Sequence, residues 1–286
     1  MPRLAVLGQP ISHSRSPAMH TAALAAMGLD GEWSYEAIEV SAEDFEGIVR
    51  SLPDAGFAGV NVTVPHKLAA LDVADEASPS ATAIGAANTL TFLAGKVHAD
   101  NTDAAGIVAA LPRSPKGMRA LVLGAGGSAR AAIWALREAG AEVSVWNRTG
   151  EKAAALAAEF GVKPALGRQP QATSFDLILN STTVGLAAAN SPQAEGKPPA
   201  GRGDASLEEL GLGVDAFRAD QVVVDLVYGK HETHLARAAR QAGAEVVDGL
   251  EVLVRQGAAS LRLWLQAEPP LDTMRQAAAY GRLERR

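Results

Sequence analysis

Apolar residues along this chain come in two rhythms. Short, nearly unbroken runs read as buried strands: RLAVLG (3–8), FAGVNVTV (57–64), ALVLG (120–124), EVSVW (142–146), FDLILN (175–180) and QVVVDLVY (221–228). Residues 33–40 alternate like a strand with one wet face. Between these runs, apolar positions recur at helical spacing over 17–28, 42–51, 68–84, 103–111, 127–139, 150–160, 231–242, 249–266 and 271–284. Pro17 suits a first helical position, and Ser78-Pro79 breaks the 68–84 segment. Residues 88–99 predict a hairpin turning at Ala94-Gly95. Strands alternating with helices imply parallel sheets covered by helices. The alternation runs once up to residue 64 and begins again at 119, with Pro112 and Pro115 bracketing a polar link between. The expected fold class is α/β, in two α/β domains. Residues 187–206 are rich in Ala, Pro, Gly, Asn and Ser without periodicity, which predicts a surface loop followed by a short helix at 206–211.

Composition narrows the chemistry. With 286 residues, 48% of them hydrophobic and 20% charged, the chain can bury sizeable cores. It has no cysteine, so disulfides, thiolate metal sites and cysteine nucleophiles are excluded. The opening apolar run is too short for a signal-peptide core, and no stretch approaches the roughly 20 apolar residues of a membrane span. The expectation is a cytoplasmic protein with no membrane association. A net charge of −6 argues against nucleic acid as a partner. His231 and His234 lack the acids or cysteines that would complete a zinc site, so no metal is expected.

The strand at 120–124 runs directly into Gly124-Ala125-Gly126-Gly127-Ser128-Ala129 and then a helix. This is the dinucleotide-binding pattern of a Rossmann-type, doubly wound parallel sheet. Its first small residue makes a tight turn, the second lets backbone approach a pyrophosphate, and the third lets helix pack on strand. Gly124, Gly126 and Ala129 fit those roles, and the helix N-terminus offers N–H groups to the anion. A plain tight turn is the bland alternative. The next strand ends in Asn147-Arg148-Thr149, with no carboxylate over 146–150. An arginine there suits the 2′-phosphate of NADP, where NAD binders carry an acid.

Polar clusters follow three strands of the first half: Gln9 to Pro17, Asn61 to Lys67, and Asp100 to Asp103. In open parallel sheets ligands bind beyond the carboxyl ends of strands. Hydroxyls and amides there would recognise hydroxyls, and a lysine would meet a carboxylate or move a proton. Each residue has a bland reading alone. Ser14, Ser16 and Asp103 suit helix caps, Asn61 and Thr63 a solvent-facing strand edge, Asn88 a hairpin cap, and Lys67 a surface lysine. Their joint appearance beside a cofactor loop favours the site.

Together, SHSRSP (12–17), NVTVPHK (61–67), GAANTL (85–90), DNTDAAG (100–106), GAGGSARA (124–131), NRT (147–149), NSTTVG (180–185), DLVY (225–228) and Asp248-Gly249 with Gln256-Gly257 resemble the shikimate dehydrogenase family, in its order and over most of the chain. The resemblance implies two domains around a deep cleft: substrate-binding residues 1–103, completed by 250–286, and an NADP-binding Rossmann-like domain, 104–249. It implies reduction of 3-dehydroshikimate to shikimate, on the path to chorismate and aromatic amino acids. By the matching motifs, Ser14 and Ser16 would hold the substrate carboxylate. Asn61, Thr63, Asn88, Asp103 and Gln256 would bind ring hydroxyls, and Lys67 and Asp103 would be the catalytic pair. Tyr228 would line the pocket near the carboxylate. Gly124 to Ala129, Asn147, Arg148, Thr149, Leu226 and Gly249 would serve NADP, Gly249 near the nicotinamide. Leu226 stands where the family often has methionine, and Thr182-Thr183-Val184-Gly185-Leu186 departs from its more common Ala-Thr-Ser-x-Gly-Met.

Alternatives remain open at this level. A quinate/shikimate dehydrogenase with relaxed substrate or NAD use would carry most of these motifs. A non-catalytic metabolite sensor would keep the pocket without turnover, and a folate-type dehydrogenase would not need SHSRSP or DNTD. The only partner expected is the small-molecule substrate, and the chain is expected to be a monomer or homodimer.

Overall fold

The computed structural model describes residues 1–190, 202–213 and 215–283. The chain divides into two compact units, one of Met1–Ala109 with residues 253–283, the other of Ala110–Val252.

The first unit carries a six-stranded sheet of β1 (Arg3–Gly8), β2 (Ser34–Glu39), β3 (Phe57–Val62), β4 (Glu76–Ala77), β5 (Thr89–Leu93) and β6 (Lys96–Asp100), in the order β2-β1-β3-β5-β6-β4. The strands expected at 3–8, 33–40 and 57–64 pair in parallel, as alternation with helices requires. The expected hairpin forms β5 and β6, antiparallel, with Leu93 opposite Lys96. Its two turn residues, Ala94 and Gly95, have φ of 52° and 76°, the left-handed pair that a two-residue hairpin demands. Leu7, Phe45, Val49, Val60 and Leu90 build the core on one face of this sheet.

The helix expected over 68–84 is two helices, Lys67–Asp72 and Pro79–Ile84, with β4 between them. The Ser-Pro step does more than kink. Ser78 accepts a hydrogen bond from Ala81 N (3.2 Å) and Pro79 starts a fresh helix, two start signals at once.

The second unit carries β7 (Arg119–Leu123), β8 (Glu142–Trp146), β9 (Lys163–Pro164), β10 (Leu177–Asn180), β11 (Val222–Asp225) and β12 (Glu245–Asp248), in the order β12-β11-β10-β7-β8-β9. Every neighbouring pair is parallel. The chain starts in the middle at β7, works out to β9, then returns beside β7 with β10. This is the doubly wound order, whose switch point lies between β7 and β10. Leu121, Ile178, Leu207, Phe217 and Val223 pack one face. β9 and β12 were not read from the sequence, because two residues, or two valines between acids, carry too little pattern. The segment expected as a loop at 187–206 contains the end of a helix, Leu186–Ala189, and the start of another, Arg202–Glu209; residues 191–201 lie outside the described residues.

Candidate active site

In the first unit, backbone bonds draw three polar segments together. Ala87 N donates to Lys67 O (2.8 Å) and Asn88 N to Asp100 O (3.1 Å). Lys67 opens the helix Lys67–Asp72, Asn88 precedes β5, and Asp103 lies in the first turn of the helix Thr102–Ala110. A carboxylate there meets the positive end of the helix dipole.

Lys67 Nζ donates to Asp103 Oδ2 at 2.5 Å, and the two side chains are only 11% and 12% exposed. The other oxygen, Oδ1, accepts from Asn88 Nδ2 at 2.9 Å. The orientation of Asn88 follows from its partners. Its Oδ1 accepts from Thr102 N (2.7 Å), a group that can only donate, so its nitrogen must face Asp103. That nitrogen also lies 3.1 Å from Gln256 Oε1, whose own amide nitrogen donates to Leu253 O (2.8 Å). Gln256 comes this close because Gly106 has no side chain; a Cβ on Gly106 would lie 2.7 Å from Gln256 Cβ and 2.8 Å from its backbone nitrogen.

Lys67, Asn88, Asp103 and Gln256, singled out in the sequence, are thus in direct contact. Asn61 is buried behind them: its Nδ2 donates to Ser260 Oγ (2.8 Å) and Thr89 Oγ1 (3.2 Å), and its Oδ1 accepts from Tyr35 (2.8 Å). Ser14 and Ser16 follow β1, and Thr63 follows the adjacent parallel strand β3. Neither serine hydroxyl takes the capping role for the helix Ser16–Ala26, whose N-cap residue is Arg15. Ser14 Oγ instead accepts from Ser16 N at 3.3 Å. His66 turns away from the lysine, its Nε2 donating to Val40 O (2.8 Å) and its ring stacked on Phe45.

Tyr35 and Ser260 escaped the sequence reading, and Thr89 and Thr102, although inside the GAANTL and DNTDAAG motifs, were given no role there. Ser260 sits four residues after Gln256 on one helix, hence on the same face. That spacing is the signal that could have found it.

In the second unit, Gly124 follows β7 with φ of 116°, a conformation side chains resist. A Cβ on Gly124 would also fall 2.7 Å from Ser181 Oγ, beyond β10. Gly126 is exposed, with nothing within 4 Å of where its Cβ would be, and Ala129 is fully buried. Tight turn, open approach and close packing are therefore each present where a pyrophosphate needs them. Behind Gly126 runs the helix Gly127–Glu138, containing Ser128. Asn147, Arg148 and Thr149 follow β8, with Arg148 exposed and Asn147 Nδ2 donating to Thr149 O (3.1 Å). Leu226 and Gly249 adjoin: a Cβ on Gly249 would lie 2.7 Å from Leu226 O. Tyr228 is half-buried just beyond β11.

One buried carboxylate organises the strand ends of this unit. Asp225 accepts from Asn180 Nδ2 (2.9 Å), Val227 N (3.2 Å) and Thr233 Oγ1 (2.5 Å). Burial pushes its carboxyl up to about 6, although those three hydrogen bonds pull the other way. Asn180 Oδ1 in turn accepts from Thr182 N (3.0 Å), so the loops after β10 and β11 are laced together. Among the described residues, no group of three or more metal-ligating side chains is present, and no helix is long and apolar enough to cross a membrane.

A doubly wound sheet with this turn, joined in one chain to a second α/β unit that buries a lysine–carboxylate pair among amides, defines the class of dinucleotide-dependent dehydrogenases. Family models narrow it. Residues 6–90 match the shikimate dehydrogenase substrate binding domain, 108–193 the shikimate / quinate 5-dehydrogenase family, and 249–279 the shikimate 5'-dehydrogenase C-terminal domain. A shikimate dehydrogenase (NADP(+)) of Thermus thermophilus is 42% identical over 280 residues, covering 97% of this chain and 98% of that protein. The crystal structure of a shikimate 5-dehydrogenase from Thermus thermophilus, in complex with NADP(H) and shikimate, is similar with a TM-score of 0.84, at 41% identity over 98% of this chain and 100% of that one. A ligand-free 5-ketofructose reductase of Gluconobacter is similar with a TM-score of 0.78, at 28% identity and 98% coverage of both chains. The chain belongs to the shikimate dehydrogenase family.

Proposed function

We propose that this chain catalyses the reversible, NADPH-dependent reduction of 3-dehydroshikimate to shikimate, on the path to chorismate and aromatic amino acids. The observation that carries the reading is the buried contact of Lys67 with Asp103, with Asn88 on the carboxylate's other oxygen. Relatives matched over nearly the whole length include NADP-dependent shikimate dehydrogenases. The fold alone would not select a substrate, as the similar 5-ketofructose reductase illustrates.

NADPH, when bound, supplies the hydride. Gly124, Gly126 and the N-terminus of the helix Gly127–Glu138 would hold its pyrophosphate, and Arg148 its 2′-phosphate. Lys67, as an ammonium, would donate its proton to the ketone oxygen as negative charge develops there. In the reverse direction the neutral amine would take the proton of the alcohol. Asp103 orients the ammonium and would accept a ring hydroxyl. Asn88 and Gln256 would complete hydroxyl recognition, Asn61 and Thr63 extend it, and Ser14, Ser16 and Tyr228 meet the carboxylate. A cytoplasmic, monomeric or homodimeric enzyme without nucleic-acid partners belongs to the same proposal.

The test offers the purified protein shikimate or quinate, each with NADP or NAD, and follows absorbance of the reduced cofactor. Fast reaction confined to shikimate with NADP is expected. Equal rates with quinate or NAD would overturn the specificity, and silence in every combination with folded, NADP-binding protein would overturn the enzymatic reading in favour of a sensor.

A further inference from the structure

Behind the lysine–carboxylate pair lies a buried chain of hydrogen bonds that reaches across the sheet. Tyr35 on the edge strand β2 stands opposite Leu4 of β1, and Asn61 on β3 opposite Val6. Leu4 and Val6 are two residues apart, so Tyr35 and Asn61 share a face. The Tyr35 ring is stacked on His20 of the helix Ser16–Ala26, with centroids 4.1 Å apart and planes at 6°. This fixes where its hydroxyl points.

The proton positions along the chain follow from the partners. Asn61 Nδ2 lies 3.3 Å from Asn88 O, an atom that can only accept. Asn61 must therefore turn its nitrogen that way and its oxygen toward Tyr35, which donates to it at 2.8 Å. Ser260 is fully buried and donates back to Gln256 O at 3.1 Å. Its lone pairs are then left for Asn61 Nδ2 (2.8 Å) and for Thr89 or Thr102, whose hydroxyls lie 2.9 and 3.1 Å away. Thr102, through its backbone N–H, sets the orientation of Asn88.

We propose that Tyr35 and Ser260 are positioning residues: acting through Asn61 and the Thr89–Thr102 pair, they hold Asn88 with its amide nitrogen on Asp103. This rests on the proposed function, in which Asn88 and Asp103 meet the substrate. Both stand at least one hydrogen-bonded residue behind the Lys67–Asp103 pair, so they act on substrate geometry and leave the cofactor alone.

The experiment compares Tyr35→Phe, which keeps the ring on His20, with Ser260→Ala. It reads kcat and KM for shikimate, KM for NADP, and thermal stability, with Asn88→Ala and the double variant Tyr35→Phe/Asn88→Ala alongside. Each single variant is expected to lower kcat/KM for shikimate about tenfold, the equivalent of one buried hydrogen bond, with KM for NADP unchanged. The double variant is expected to lose no more than Asn88→Ala alone. Normal shikimate kinetics in either variant that folds overturns the proposal. So does a parallel rise in both KM values, or additive losses in the double variant. Normal kinetics for Asn88→Ala would instead overturn the site reading on which the proposal stands.

Discussion

Asn88 holds the one oxygen of Asp103 that Lys67 leaves: Lys67 Nζ lies 2.5 Å from Oδ2, and Asn88 Nδ2 lies 2.9 Å from Oδ1. The carboxylate is gripped from both sides while mostly buried. It can orient the ammonium without swinging away, which is what preorganised proton transfer requires.

Under the proposed function, Lys67→Ala should remove the proton donor, and it also leaves the mostly buried Asp103 without its ion-pair partner. Turnover is expected to fall by about 10²–10⁴-fold, the usual contribution of a general acid–base group. NADP affinity, read by fluorescence titration, is expected to be unchanged. A variant that retains near-normal kcat would show that the proton comes from elsewhere.

Gly106→Ala tests the packing that brings Gln256 to Asn88. The added methyl would meet Gln256 on the helix Gly249–Leu265, its Cβ at 2.7 Å and its backbone N and Cα at 2.8 and 3.0 Å. Overpacking of this kind costs about 1–3 kcal/mol. A lower Tm and a raised KM for shikimate are expected together. A variant as stable and as active as the parent would mean that the two helices separate freely.

Arg148→Ala should weaken NADP specifically. A charge-assisted hydrogen bond contributes about 1.5–3 kcal/mol, so KM for NADP is expected to rise on the order of 10–100-fold with that for NAD unchanged. Equal changes for both cofactors would move the 2′-phosphate contact to another residue.

Asp225 gives the second unit a pH signature. Its carboxyl is raised from 3.8 to about 6 by burial, so the folded state holds that proton more tightly than the unfolded chain. The stability this group contributes is present in full below pH 3.8 and is lost as pH rises through about 6, a change of about 3 kcal/mol. Asp225→Asn should remove that slope from denaturant titrations run between pH 4 and 7. An unaltered slope would assign it to another group.

His20 works in the opposite sense. Burial lowers it from 6.5 to about 3, so its contribution is present above pH 6.5 and is lost as pH falls toward 3. His20→Phe, which keeps an aromatic plate against Tyr35, should flatten the acid limb of the stability curve. Acid sensitivity identical to the parent's would exclude His20 as its source.

Much of this was legible in the residues themselves. Long periodic segments, strong turn pairs such as Ala94-Gly95 and the glycine-rich run at 124–129 state their conformation locally, through sterics and hydrophobic patterning. The short edge strands β9 and β12 do not. They exist because a neighbouring strand offers unpaired groups, and no local pattern records a neighbour.

The same division runs through the candidate site. The sequence by itself placed Lys67 and Asp103 in polar clusters at strand ends, which need only local reading, whereas Asn88 and Gln256 were singled out through the family resemblance. Tertiary structure alone decided that Asn88 faces Asp103 with its nitrogen, that Gly106 admits Gln256, and that Tyr35 reaches Asn61 across β1. It alone made Asp225 a buried hub in place of an ordinary strand-end acid. The physical reason is that hydrogen-bond direction and desolvation depend on which atoms surround a group in space, and those atoms come from segments far apart in the chain.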